Sequence, residues 1–425
     1  MQKIERVKLF SNAKEYLKFF ALSLLLFCLS LLNEYFNYTK LHEFDTYITQ
    51  ATVLKQYTKT KADGREKSYQ VLKLKSDEGF EFYTIASTKT PSYLGKDIEV
   101  EFYTDKIEFL AYLKSFFAFS KITNVPKEST AKEQLLKALS KVHQNDETAS
   151  IYKALFLAIP LPSHLQQSFA NLGISHLVAL SGFHLSVLFA IIFFIFKYPY
   201  TLLQSHYFPY RNHKRDLFFF TAVLLGFYLF FVAAPPSLLR AYTMLVVVFT
   251  LYERGVKLLS MQTLLLTTVI LLALFPRLLF SVGFLLSLSG VFYIFLFLHY
   301  FAKHSKVWQF LLLPFWVYLM MLPYSLVLFG NFSLYHPLSI LITSLFSFFY
   351  PLSLFLHFLG EGSLLDSSIE FLLSLEPHAK ILQIDSIWLY LHISLSLLSL
   401  YKKELLALLV FESLAFFVYA IYYVT

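Results

Sequence analysis

The sequence predicts a polytopic α-helical membrane protein carrying an N-terminal, extracytoplasmic small β-barrel of the OB-like type. Three observations predict it. Hydrophobic residues make up 57% of the 425-residue chain and charged residues only 15%, with mean hydropathy +0.57, far more apolar surface than a soluble protein uses. From Ile151 onward, apolar runs long enough to cross a bilayer follow one another almost without interruption. Between residues 33 and 106 the pattern changes to alternating apolar and polar residues, which is the period of strands.

Taken in order, residues 1–32 form a basic N-terminus and a first crossing. Lys14 and Lys18 precede Phe19–Leu32, and Leu31-Leu32-Asn33 offers no small-residue cleavage site, so the segment reads as a retained anchor. In 33–106, Phe44–Leu54, Tyr69–Lys75, Glu81–Ala86 and Ile98–Tyr103 alternate, with turns at Asp63-Gly64 and Glu78-Gly79. Four or five short strands in about 70 residues suit a small barrel, the five-stranded OB type above all. After one crossing from a basic N-terminus, this domain is expected in the periplasm. Residues 107–150 read as an aromatic interfacial segment, Ile107–Ser120, followed by an amphipathic linker helix with Leu135, Leu136, Leu139 and Val142 on one face.

Residues 151–360 form the membrane core, and 361–425 an acidic loop with the terminal crossings. Candidate crossings are 174–196, 217–234, 238–252, 258–275, 278–298, 307–329, 337–359, 387–400 and 405–424, for a total of roughly eight to ten with the first. Basic loops at 197–215, 253–257, 299–306 and 402–403 are expected in the cytosol. The loop at 360–386, with Glu361, Asp366, Glu370 and Glu376, reads as external, which requires one neighbouring segment to be re-entrant or interfacial. Phe329–Ser333 reads as the break and Ser367–Leu375 as a surface helix.

The net charge is +8, and its distribution is more telling than its size. Between Ile151 and Gly360 the only carboxylates are Asp216 and Glu253, against eleven lysines and arginines. Part of that excess is the usual cytosolic bias of basic loops. A membrane core without a buried carboxylate also argues against a cation or proton carrier and suits an anionic cargo. A single cysteine, Cys28, excludes an intramolecular disulfide and a cysteine metal cluster. The chain has no phosphate-binding Walker loop, no glycine-rich dinucleotide fingerprint and no HExxH, so no catalytic residue, metal or cofactor is assigned.

Three constellations carry polar residues into this apolar sequence. The first is 171–188, with His176, Ser181, Gly182 and His184. On a continuous helix the two histidines stand about 80° and about 12 Å apart, too far to chelate one metal as a pair. Ser181 and His184 are three apart and within hydrogen-bonding reach, and Gly182 admits a close neighbouring helix. Polar glue between helices, a polar stripe lining a pathway and a Ser/His catalytic dyad are the three readings. The second is Ala233-Ala-Pro-Pro-Ser-Leu-Leu-Arg240, where two prolines restart a helix, Ser237 caps nearby and Arg240 lies one turn in. That suits either anion binding or an arginine snorkelling to the interface. The third is Leu322–Pro337, a broken-helix pattern with Asn331 and Ser333 at the break.

These segments, in this order, resemble the ComEC/Rec2 competence family, in the form lacking a C-terminal metallo-β-lactamase-like domain. Gly173-Ile-Ser-His-Leu-Val-Ala-Leu-Ser-Gly-Phe-His184 is similar to that family's most specific motif. Pro236–Met244, Phe280–Ser287 and Leu322–Ser333 resemble three further segments, with Leu285 where the family usually has glutamine. The resemblance covers about 171–360. It implies a non-enzymatic channel that passes single-stranded DNA across the bacterial inner membrane in natural transformation. It also implies a lipid bilayer around the core, a periplasmic DNA receptor, a cytoplasmic motor ATPase or single-strand-binding proteins, a separate nuclease and, among assemblies, a homo-oligomer. His176, Ser181, Gly182, His184, Ser237, Arg240, Asn331 and Ser333 then become pathway candidates. In the β domain, Lys55, Tyr57, Lys59, Lys61, Arg65 and Lys67 interleave bases with aromatics, a DNA-contact pattern that a solvated hairpin also produces. The rivals are an intramembrane serine protease built on Ser181 and a carrier of a small organic anion.

Overall fold

The computed structural model describes residues 12–61, 67–124, 131–252, 260–375 and 379–424. The chain is mostly helical and divides into two compact units. One comprises Phe10–Gln166 with Val269–Val282, and the other Gln167–Thr268 with Gly283–Thr425.

The first unit opens with helix α1 (Ala13–Leu41), whose last residue, Leu41, is already part of the β core. Strands β1 (Thr46–Lys61), β2 (Lys67–Ser76), β3 (Glu81–Ala86) and β4 (Asp97–Tyr103) follow. The aromatic segment after them folds as a short helix α2 (Phe109–Lys114) and strands β5 (Phe116–Phe117) and β6 (Ser120–Asn124). Its Tyr112, Leu113 and Phe116 are buried with Phe80, Phe82 and Phe102 in one core. Each such aromatic contributes about 1.5–3 kcal/mol by leaving water.

The expected closed barrel is not formed. The strands make an open six-stranded sheet in the order β5-β3-β2-β1-β4-β6, with β3–β5 parallel and the other pairs antiparallel. The two edges are consecutive in the chain, with only Ala118 and Phe119 between them, and there the ladder is interrupted. The length of β1 is what joins the halves: Thr46–Thr52 pairs with β4, and Ala51–Lys61 pairs with β2. A bulge between Val53 and Lys55 inverts the facing of β1. Before it Ala51 and Val53 point into the core; after it Lys55, Tyr57 and Lys59, at the same parity, are exposed.

This unit also holds a partly buried ion pair. Arg277 donates to Glu34 of α1 through Nε at 2.9 Å and Nη2 at 2.6 Å, and its guanidinium lies 4.6 Å from the Tyr112 ring centroid. A bidentate pair with a cation–π contact fixes α1 and 276–280 to the β core. Helices α3 (Ala131–Val142) and α4 (Asp146–Leu157) complete the unit.

The chain passes through α5 (Ser163–Asn171) into the second unit, which continues with α6 (Ser175–Val178), α7 (Gly182–Tyr207), α8 (His213–Phe231), α9 (Pro236–Tyr252) and α10 (Met261–Leu274), whose residues from Val269 belong to the first unit. Then come α11 (Val282–Phe301), α12 (Lys306–Leu328), β7 (Asn331–Phe332), α13 (Ser339–Leu359), α14 (Asp366–Leu373), β8 (Lys380–Ile381), α15 (Ser386–Leu398) and α16 (Lys403–Val424). Helices α7, α8 and α9 pack on one another, as do α12, α15 and α16. Strands β7 and β8 pair antiparallel, so the expected break at Phe329–Ser333 is a short strand tied to the segment after α14. Gly330, at φ +73, makes that turn. The surface helix expected at Ser367–Leu375 is α14.

Among the described residues, six helices are long and apolar enough to cross a membrane: α1, α7, α11, α12, His336–Leu359 and α16. Helices α9, α10 and α15 are apolar but shorter. The chain is a multi-pass membrane protein.

Candidate functional site

The segment 171–188 is not one helix. Gly173, at φ +72, ends α5 with Gly173 N–H donating to Ala170 and Ile174 N–H to Phe169, the paired bonds of a left-handed helix stop. Helix α6 lasts four residues, Ala179 is extended, and α7 begins at Gly182. The helical spacing expected for His176 and His184 therefore does not apply, nor does a crossing that starts at 174. The stop is enforced by packing as well as conformation, because a Cβ on Gly173 would lie 2.7–2.8 Å from the His336 ring.

Ser181 and His184 do bond, as a cap on α7. His184 Nδ1 accepts from Ser181 N–H at 3.2 Å and lies 3.0 Å from Ser181 Oγ. A backbone N–H can only donate, so Nδ1 is the acceptor, and in the neutral ring the proton sits on Nε2. That Nε2 is buried without a hydrogen-bond partner among the described residues, and the ring stands edge-on to Tyr350 at 4.3 Å. The imidazole Nδ1 is shared between the Ser181 N–H and Oγ at the helix start, and no third group among the described residues orients the ring through Nε2.

The break at Ala179–Ser181 leaves the Leu180 carbonyl outside any helix, and Ser237 Oγ donates to it at 2.5 Å. Ser237 stands at the start of α9, whose first residue is Pro236, the position where a missing N–H costs nothing. The preceding turn is strained. Ala233 and Ala234 take φ +61 and +46, and they close α8 through Ala233 N–H to Phe230 and Ala234 N–H to Leu229. Each left-handed alanine costs about 1 kcal/mol.

Arg240 follows one turn later and is only 5% exposed. Its Nε donates to Ser287 Oγ of α11 at 2.8 Å, and Nη1 faces Met244 Sδ at 3.9 Å. A Cβ on Gly182 would lie 3.3 Å from Ala241 Cβ and 3.6 Å from Arg240 Nη2, so Gly182 is what lets α7 approach α9 at the arginine. Among the described residues, no carboxylate lies within ion-pairing distance of Arg240. Its packing is that of a buried charge rather than of a snorkelling anchor.

The third constellation closes on the same stretch. Ser333 is fully buried and its Oγ donates to the Asn171 carbonyl at 2.5 Å. His336 stacks on Phe332 at 5.1 Å and lies 3.3 Å from the Tyr318 hydroxyl. His176 Nε2 lies 3.2 Å from Thr343 Oγ1 of α13. Asn331 sits in β7 opposite Ile381. Thus residues 171–184 meet Ser237, Arg240, Ser333 and His336, drawn from all three constellations. Sequence reasoning missed Ser287, Thr343 and Tyr318 as partners, although Ser287 ends the family-like segment Phe280–Ser287.

In the β domain, Lys55, Tyr57 and Lys59 share an exposed face of β1. Lys55 pairs with Lys73, which pairs with Tyr83, making a basic-aromatic row across three strands. Lys73 also pairs with Glu81, which offsets part of that charge. The backbones of Lys61 and Lys67 pair at the end of the hairpin; Arg65 lies outside the described residues.

Beyond the core at 151–360, the terminal helices carry a further carboxylate: the Glu412 side chain of α16 is nine-tenths buried and faces His392 of α15.

Compared with models of protein families, the chain matches the one described as Competence protein over residues 160–425, which contains every residue of the cluster above. No curated protein and no solved structure matches.

Proposed function

The chain belongs to the competence protein family, and from that premise of a role in DNA uptake we propose that it passes single-stranded DNA across the cytoplasmic membrane during natural transformation. The observation that carries this reading is Arg240, a cation held among membrane helices by partners that are all neutral among the described residues. A buried guanidinium without a carboxylate needs a visiting anion, and phosphate fits its planar fork. A nucleic acid strand brings one phosphate per nucleotide, so its path must be wet and electropositive.

The helix restarts and breaks around Arg240 supply the irregular backbone that membranes tolerate only beside protein or water. Gly182 lets α7 approach the arginine, and His176, Ser181, His184, Ser237, Asn331 and Ser333 are its companions along the pathway. The exposed face with Lys55, Tyr57 and Lys59 offers phosphate and stacking contacts at the entrance, on the periplasmic side of an inner-membrane protein. The protein acts as a channel and not as an enzyme. Drive, strand degradation and delivery come from partners: a motor ATPase or single-strand-binding proteins, a separate nuclease and a periplasmic DNA receptor. Ser181 disfavours the protease reading because its partner histidine is locked into the α7 cap. A small-anion carrier would use the same arginine, and uptake of a small solute by purified protein in liposomes would mark it out.

The test is a clean deletion strain scored separately for DNA entry into the periplasm and into the cytoplasm. Loss of the second with the first intact is expected. Normal transformation would remove the reading.

A further inference from the structure

Helices α11, α12, α15 and α16 enclose a second polar cluster, centred on His392, which is fully buried. His392 Nδ1 lies 3.0 Å from Glu412 Oε2. Its Nε2 lies 3.0 Å from the Met320 carbonyl and 2.9 Å from the Tyr293 hydroxyl.

The partners fix where the protons are. A carbonyl oxygen can only accept, so the Met320 contact requires a proton on Nε2. Tyr293 agrees. Ser396 Oγ donates to the His392 carbonyl at 2.7 Å and so accepts from the Tyr293 hydroxyl, also at 2.7 Å. That leaves the tyrosine oxygen to accept from Nε2. With Nε2 protonated, Nδ1 and Glu412 Oε2 would face each other as two lone pairs at 3.0 Å unless a further proton lies between them. The gap therefore holds one proton, as imidazolium–carboxylate or as imidazole–carboxylic acid, and the pair is neutral either way.

Removing that proton would leave a net negative charge in an apolar bundle. The second carboxyl oxygen, Oε1, is buried without any hydrogen-bond partner among the described residues and offers no compensation. The titratable groups that face the pair are Tyr293 of α11 and Tyr324 of α12, whose hydroxyls lie 3.5 Å apart. No lysine or arginine is paired with it among the described residues.

We propose that His392 and Glu412 form a proton-binding site inside the membrane helices, and that its occupancy sets how transport responds to pH. The second half rests on the transport reading; the first does not.

The test has two arms on the full-length protein. In liposomes, with carbon-13-labelled glutamate, infrared difference spectra are recorded between samples at different pH. A glutamate carboxyl band that changes with pH, and that is absent from Glu412→Gln and altered by His392→Gln, is expected. A wild-type spectrum without such a band, or a band that survives in Glu412→Gln, overturns the site whatever the cargo proves to be. In cells, DNA entry into the cytoplasm is followed against external pH at equal protein level. Glu412→Gln should flatten the profile, and Glu412→Asp should keep its shape at a reduced rate. A Glu412→Gln profile identical to wild type overturns the coupling. If Glu412→Gln fails to accumulate, the wild-type spectrum and the Glu412→Asp profile still decide.

Discussion

Ser237 donates its hydroxyl to the Leu180 carbonyl at 2.5 Å, so the first turn of α9 closes the gap between α6 and α7. The two residues are 57 positions apart, and the hydroxyl satisfies a carbonyl that no helix pairs. Ser237→Ala leaves the carbonyl unpaired in a half-buried setting, at a cost of roughly 1–3 kcal/mol. Ser237→Thr keeps the donor and should be near wild type. Thermal unfolding of the purified protein in detergent, read on both variants, checks this; equal loss in both would mean that the hydroxyl is irrelevant.

Arg240 separates charge from geometry. Arg240→Lys keeps the charge but gives up the planar fork and the Nε bond to Ser287, so partial transport is expected. Arg240→Gln should abolish transport with membrane abundance near normal, and Arg240→Glu should be at least as severe because it repels phosphate. Transformation frequency normalised to protein level by blot distinguishes the cases. Full activity of the glutamate variant would take Arg240 out of the pathway.

Gly173 and Gly360 make a controlled comparison. Both are left-handed, at φ +72 and +84, but only at Gly173 would a Cβ strike a side chain, the His336 ring, whereas at Gly360 it meets open space. Gly360→Ala should cost about 1 kcal/mol, from backbone strain alone. Gly173→Ala should cost about 2–4 kcal/mol, strain plus overpacking. Adding His336→Ala to Gly173→Ala should return the overpacking share and not the strain. Unfolding midpoints of the four proteins test this, and equal losses at the two glycines would mean that the histidine yields freely.

Much of the frame is legible in the residues. Pro235-Pro236 announces a helix restart because proline suits only the first turn, and α9 does start at Pro236. The break at 329–333 follows from a glycine and an asparagine inside an apolar run. The break at 179–181 was hidden because its cap pairs serine with histidine, where the usual signal is serine with glutamate or glutamine three residues on. The open sheet was hidden as well. Its closing segment carries Phe116, Phe117 and Phe119, which resemble membrane-surface aromatics, and the bulge at Val53 preserves alternation while reversing which residues are buried. The Arg240–Ser287 and His392–Glu412 contacts join residues 47 and 20 positions apart across different helices, and no local pattern encodes them.

The β1 face makes a quantitative prediction about DNA. Lys55 and Lys59 are exposed two positions either side of Tyr57, which is itself 38% exposed, so a strand lying along β1 would meet a phosphate contact, a stacking platform and a second phosphate contact. If both lysines neutralise phosphates, binding of single-stranded DNA by the full-length protein should weaken with salt, and Lys55→Gln with Lys59→Gln should lower the slope of log affinity against log salt by about 1.4, at ~0.7 per contact. Tyr57→Ala should reduce affinity by about 1–3 kcal/mol without changing that slope, because stacking releases no counterions. The two effects are separable in one titration series. A double lysine variant with the wild-type slope, measured by fluorescence anisotropy on a labelled oligonucleotide, would return this face to a solvated hairpin and leave DNA entry to other surfaces.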